Sequence, residues 1–246
     1  MSYTDRTVIE VTGTEHAHFL NGLVTNALPE PGGISYGALL TPQGKYLFDF
    51  FMIARPDAIW LDVAADRAPA LVQRLTMYKL RADVTLRATD LTVSCGIEEA
   101  PDGALPDPRH EALGWRLYGD TPVVGSEVDW DALRVAHCIP ATGTELTEDS
   151  YILEAGFERL HGVDFRKGCY VGQEVTARMK HKTELRKGFT TVTLQGDAAP
   201  GTPITADGKA VGTLHTCVGD RAIAYLRFDR AKGPMQAADA TVTWNG

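Results

Sequence analysis

Ile34-Ser35-Tyr36-Gly37-Ala38-Leu39-Leu40 and Lys45-Tyr46-Leu47-Phe48-Asp49-Phe50-Phe51-Met52-Ile53-Ala54 are two apolar runs separated by Thr41-Pro42-Gln43-Gly44. Pro at the second and Gly at the fourth position of that spacer are the pattern of a type I turn. The stretch therefore reads as a β-hairpin with one very apolar arm. Before it, Thr7 to Val11 reads as a strand. A short helix follows through Phe19-Leu20, with Thr14 as its N-cap and Gly22 as its stop. After it, Ala58 to Val63 is a further strand, and Asp66 to Tyr78 places Leu71, Leu75 and Tyr78 at helical spacing. Val84 to Leu86 closes the set. The order β-α-β-β-β-α-β is close to the split βαβ, ferredoxin-like arrangement.

Beyond this third the signals shorten. Leu91 to Ile97 and Trp115 to Tyr118 read as strands, Pro101 to Pro108 as a loop with three prolines, and Trp130 to Ala136 as a helix. From Phe189 onward short strands alternate with turn residues. Asp207-Gly208 sits between two of them as a hairpin signal. The expected fold is α+β: two ferredoxin-like halves forming a body over residues 1–186, and a small C-terminal β-barrel over 187–246. The 246 residues suffice for a real core without staples, and 44% of them are apolar. No apolar run approaches the ~18 residues of a membrane span, so no membrane partner is expected. The first residues have no apolar h-region, so a signal peptide is not expected either.

The chain has 24 Lys and Arg against 32 Asp and Glu, a formal net charge of −8. The balance inverts between residues 159 and 187. There Arg159, Arg166, Lys167, Arg178, Lys180, Lys182, Arg186 and Lys187 are opposed only by Asp164, Glu174 and Glu184. Such a stretch is either a surface for an anionic partner, RNA included, or a solvated strand–loop face. The cysteines Cys95, Cys138, Cys169 and Cys217 are widely spaced and never form C-x-x-C, so no metal site is expected. Unpaired cysteines of this kind read as a cytoplasmic chain with free thiols.

The chemistry concentrates in Lys167-Gly168-Cys169-Tyr170-Val171-Gly172-Gln173-Glu174. Two glycines bracket a cysteine, and glycine permits turns that present a side chain. Arg166 and Lys167 precede the thiol, and nearby cations favour thiolate. The alternative is a structural cysteine in a tight loop. Cys95, Cys138 and Cys217 have apolar or β-patterned neighbours and read as core. Asp49 stands out for another reason: an acid among aromatics is unfavourable unless it has a partner.

This segment, followed by Ala177-Arg178, resembles the signature of the YgfZ family, which is similar in fold to the aminomethyltransferase (T-protein, GcvT-like) of the glycine cleavage system. Phe19 to Asn26 resembles that family's N-terminal helix, and Tyr36 to Phe50 its hairpin. The resemblance implies a tetrahydrofolate-binding accessory factor in iron–sulfur (4Fe–4S) protein assembly or repair, with a link to tRNA modification. It implies iron–sulfur assembly proteins or cluster-dependent enzymes as partners. By the same resemblance Tyr36, Asp49, Trp130 and Glu154 hold the folate, and Cys169 and Asp49 are the chemically active groups. A carboxylate such as Glu154 can accept two parallel hydrogen bonds from an amino-pyrimidinone edge, and the face of Trp130 suits a flat ring. Without the resemblance Glu154 reads as a surface carboxylate and Trp130 as core. The enzyme alternative is a folate-dependent aminomethyltransferase or demethylase, in which Asp49 acts as general acid/base. Against transfer, the T-proteins carry two adjacent acids after a Gly-Gly, whereas Gly44 to Asp49 has one glycine and one acid. A third alternative is an RNA- or protein-binding factor acting through residues 159–187.

Overall fold

The structure is a computed structural model that describes residues 5–123, 125–181 and 185–246. The chain forms two compact units, one of Met1–Val128 with Glu158–Val175, the other of Asp129–Phe157 with Thr176–Gly246.

In the first unit β1 (Arg6–Thr12), α1 (His16–Asn21), β2 (Ile34–Leu40), β3 (Tyr46–Arg55), β4 (Ala58–Ala64), α2 (Ala68–Lys79) and β5 (Thr85–Ala88) follow the expected order. The strands form an antiparallel sheet in the order β2-β3-β4-β1-β5. Thus β4 inserts between β1 and β3, as the split βαβ requires. Thr14 does not cap α1. Its amide and hydroxyl donate to Asp83 Oδ2 at 3.0 and 2.7 Å, and the residue before the helix is Glu15. A second sheet of this unit has the order β6-β8-β7, from β6 (Thr92–Gly96), β7 (Leu105–Pro106) and β8 (Trp115–Gly119). The segment read as a proline-rich loop therefore contributes one short strand.

Nine of the ten β3 residues are buried, and the period of two divides them. Phe48, Phe50, Met52 and Ala54 enter the apolar core with Ile9, Val11, Leu61, Val63, Leu20, Leu71 and Leu75. The opposite face carries Tyr36, Phe51 and Asp62, which lie in register across β2, β3 and β4. Asp62 has no exposed surface. It accepts from Arg6 Nε at 2.6 Å, from an Arg116 terminal nitrogen at 2.6 Å and from the Tyr118 hydroxyl at 2.9 Å. Asp107 accepts from Arg109 at 2.7 Å and faces Arg116 at 3.4 Å. The Arg116 and Arg109 guanidiniums lie 4.0 and 4.7 Å from the Phe51 ring centre. One face of the sheet is thus closed by hydrocarbon and the other by ion pairs.

In the second unit α3 (Trp130–His137) and the last six strands pack together. Between them in sequence comes α4 (Gln173–His181), in the middle of the basic stretch expected to be strand or loop. A closed barrel runs β10-β11-β12-β9-β14-β13, built from β9 (Lys187–Gln195), β10 (Pro203–Ala206), β11 (Lys209–Val218), β12 (Arg221–Arg227), β13 (Met235–Ala237) and β14 (Ala240–Thr243). Val192, Leu214, Ala224, Leu226, Met235 and Val242 fill it. Asp129 Oδ1 accepts from the Ala132 amide and caps α3. Within this unit Arg134 is buried on Glu145 at 2.8 Å.

Burial alone would push the Asp62 carboxyl up. The Arg116 and Arg6 guanidiniums outweigh it and hold the group below its ordinary value. Its contribution is therefore complete above about pH 4 and is lost as pH falls through the lowered value. Asp62→Ala leaves two guanidiniums without their carboxylate and is expected to cost about 3–5 kcal/mol. Urea unfolding at pH 7 measures this, and a loss under about 1 kcal/mol would remove Asp62 as the organiser of that face.

Candidate functional site

The Cys169 segment lies in the first unit up to Val175 and is stitched to two other parts of that unit. The first is the end of α1 and the chain after it. The Thr25 hydroxyl donates to the Gly162 carbonyl at 2.7 Å, and the Asp164 amide donates back to the Thr25 carbonyl at 3.0 Å. Asn26 Nδ2 donates to the His161 carbonyl at 2.7 Å and to the Tyr36 carbonyl at 2.8 Å. Lys167 Nζ donates to the carbonyls of Asn21 and Val24 at 2.7 and 2.6 Å. The two resembling segments, Phe19 to Asn26 and Lys167 to Glu174, are therefore in contact.

The second is the hairpin turn. Gly172 adopts φ +83°, and a Cβ there would stand 2.6 Å from the Thr41 carbonyl oxygen and 3.1 Å from the Gly44 Cα. Gly44, at φ +75°, has Val175 directly above it. Two backbones approach more closely than a side chain allows, and only glycine fits the pair. Gly168 differs: it lies outside the left-handed region, and nothing is within 4 Å of where its Cβ would be. The expected pair of conformational glycines is thus one, Gly172.

Cys169 is exposed, whereas Cys95, Cys138 and Cys217 are half-buried. Burial raises the thiols of Cys95 and Cys217 above their ordinary value. Tyr170 is buried, and Lys167 Nζ lies 5.0 Å from its ring centre. The sequence reading assigned Lys167 to activating the thiol. Its ammonium is bound to backbone carbonyls and also interacts with the charge of the Cys169 thiolate, and burial lowers it to about 8. Gln173 and Glu174 open α4, with Glu174 in the first turn, where negative charge is favourable. Arg178 and Lys180 are exposed on the same helix, and Arg159, Arg166 and Arg186 are exposed elsewhere along the basic stretch. Lys182, Thr183 and Glu184 lie outside the described residues.

Tyr36 and Asp49 are brought together by the hairpin. The Tyr36 hydroxyl donates to Asp49 Oδ2 at 2.8 Å, and that of Tyr46 donates to Oδ1 at 2.6 Å. Tyr46 was not anticipated. Strict alternation would put it with Phe48 and Phe50 on the apolar face. The pairing steps from Leu39 with Phe48 to Leu40 with Tyr46, a bulge that skips Leu47 and turns Tyr46 to the Asp49 side. Burial first, then Asp49, push the Tyr36 hydroxyl well above its ordinary value, so it stays a donor.

In the second unit Glu154 is 8% exposed and not the surface carboxylate that composition alone suggests. Oε2 accepts from the Tyr225 hydroxyl at 2.6 Å, and Oε1 faces Lys187 at 3.6 Å. Phe189 packs on Tyr225 at 5.2 Å between ring centres and donates its amide to the Glu154 carbonyl. Trp130 begins α3 and is half-buried. Oε1 is met only by a long ion pair among its described contacts and keeps capacity to accept a further hydrogen bond. Among the described residues no cluster of His, Cys, Asp and Glu could hold a metal ion.

A split-βαβ unit, a closed barrel and an exposed cysteine on a pinned loop define a protein of the aminomethyltransferase fold. The aminomethyltransferase T of the glycine cleavage system from Bartonella henselae superposes with a TM-score of 0.75 over 97% of this chain and 82% of its own, at 14% identity. Residues 186–245 match the C-terminal β-barrel domain of CAF17. The mitochondrial iron–sulfur cluster assembly factor IBA57 of Mus musculus is 30% identical over 94% of this chain and 78% of its own length. The human protein is 29% identical over the same shares, and the Mycosarcoma maydis homologue 32% over 74% and 54%. The chain belongs to the IBA57 family of iron–sulfur cluster assembly factors. This overturns the cytoplasmic expectation, because these relatives are mitochondrial. Unpaired cysteines argue against an oxidising compartment but do not distinguish one reducing compartment from another.

Gly172→Ala is expected to cost about 1–3 kcal/mol through its strained φ and the Thr41 clash. Gly168→Ala should stay within about 0.5 kcal/mol. Equal effects in thermal unfolding would refute the assignment of the close approach to Gly172. For Lys167, the unfolded chain binds more protons than the folded one between pH 8 and 10.5, so stability rises with pH across that window. A 13Cε NMR titration should give a midpoint near 8, and one near the free-lysine value would contradict the burial.

Proposed function

We propose that this chain is a tetrahydrofolate-binding accessory factor in iron–sulfur protein assembly, with Cys169 as the thiol it offers to cluster chemistry. The observation that carries this reading is the contrast between its two candidate reactive groups. Cys169 is exposed at the tip of an anchored loop, whereas Asp49 is 9% exposed with both oxygens turned to tyrosine hydroxyls. A group held in that way is suited to shaping a site, while a general acid must reach its substrate. Accessory binding is thus favoured over aminomethyl transfer or demethylation. Family membership supports the assembly role, and thiolates are the usual ligands of such clusters. One thiolate cannot hold a cluster alone, so a partner protein supplies the other ligands. The likeness to YgfZ adds the finer expectation that enzymes modifying tRNA are among those served.

Folate enters this reading through Glu154, with Tyr225 and Phe189 beside it and Trp130 on α3 of the same unit.

Two substitutions test the reading separately. Cys169→Ser should lower the activity of cluster-dependent enzymes in cells lacking the wild-type copy, with the protein still folded. Unchanged enzyme activity would remove the thiol from the function. Glu154→Ala should weaken tetrahydrofolate binding by about 1.5–3 kcal/mol, the range for charge-assisted hydrogen bonds. Calorimetry showing unchanged affinity in a folded variant would remove Glu154.

A further inference from the structure

Cys169 stands between two anchored neighbours. Two residues before it, Lys167 reaches back across the unit to the Asn21 and Val24 carbonyls. One residue after it, Tyr170 is buried. Between Lys167 and the thiol lies Gly168, which touches nothing with its Cα face. The thiol is therefore the exposed apex of a short span pinned at both ends.

The acceptors of Lys167 are informative. A helix leaves its last carbonyls without intrahelical donors. At the end of α1 the Gly22 amide takes the His18 carbonyl, and the Leu23 and Val24 amides take that of Leu20. The Asn21 carbonyl lies beyond these and goes to Lys167, together with that of Val24. A cation at this end also meets the negative pole of the helix. Burial works against the ammonium, as its lowered value of about 8 records. The position thus keeps a half-buried lysine against its desolvation, where an exposed cation would be easier to accommodate. The charges of Asp164 and of the Cys169 thiolate oppose that lowering.

We propose that Lys167 is the positioning residue of Cys169: by holding the Asn21 and Val24 carbonyls it fixes the thiol's place beside the end of α1, so that a cluster-bearing partner protein meets both as one surface. This rests on the reading of Cys169 as the functional thiol. Lys167 touches neither partner nor cluster and acts through the loop. Arginine at this position keeps donors and charge, whereas methionine keeps the length and loses both.

The experiment uses the full chain carrying Lys167→Met or Lys167→Arg. Amide hydrogen exchange is read at Asp164, whose donor bond to Thr25 reports docking, and at β3 as an internal reference. Iodoacetamide labelling of Cys169 is read by mass spectrometry against Cys217. Lys167→Met should speed exchange at Asp164 at least tenfold, leave β3 unchanged and alter the Cys169:Cys217 labelling ratio more than threefold. It should lower cluster-dependent enzyme activity toward that of Cys169→Ser. Lys167→Arg should restore each readout at least in part. A merely stabilising lysine would move exchange in β3 as well and leave the labelling ratio alone. Unchanged exchange and labelling in Lys167→Met would overturn the proposal, as would failure of arginine to restore either. Should the methionine variant not fold, Lys167→Gln is read by the same exchange and labelling criteria. If Cys169→Ser itself proves silent in cells, the thiol reading falls, while exchange and labelling still judge the positioning.

Discussion

Asp62 has no exposed surface, and Arg6, Arg116 and Tyr118 all donate to it. Those donors come from the first strand and from the second sheet of its unit, so one carboxylate joins the two sheets. Taking a carboxylate and two guanidiniums out of water is unfavourable unless each finds partners. The Phe51 ring beneath Arg116 and Arg109 supplies further attraction where water is excluded. With this face closed, the row Tyr36, Phe51 and Asp62 is locked in register. Asp49 and its two tyrosines then have fixed positions on the same strand.

The hairpin also supports the cysteine segment. Its turn meets the cysteine segment where Gly44 and Gly172 approach without side chains between them. The same segment is bonded to Thr25, Asn26 and the carbonyls at the end of α1. Three stretches far apart in sequence are thereby brought to one place in the first unit. A cysteine presented from a rigid support loses less entropy on meeting a partner than one on a free loop. Membership of the IBA57 family gives that exposed thiol a context, since thiolates are the usual ligands of iron–sulfur clusters.

Much of this was legible in the residues because local rules coincided. Thr41-Pro42-Gln43-Gly44 turned as its proline and glycine specify, and the β1 to β5 elements followed their apolar periods. Asp49 was marked by its aromatic neighbours, and its partners were indeed nearby. What escaped had non-local causes. Tyr46 joined Asp49 through a bulge that breaks alternation. Thr14 found Asp83, a distant acid, in preference to the helix it precedes. Lys167 was read by proximity in sequence to the thiol, but its acceptors come from residues 21 and 24. The α4 helix has a polar surface with little apolar stripe, so no period announced it.

We propose that this fold serves iron–sulfur assembly and leaves a bound folate unreacted. The most direct measurement follows 13C-methylene-tetrahydrofolate by NMR with purified protein and an amine acceptor, against a buffer control. Folate is expected to bind while the label leaves no faster than in buffer. Catalysed departure of the label that is abolished by Asp49→Asn and unaffected by Cys169→Ser would contradict it.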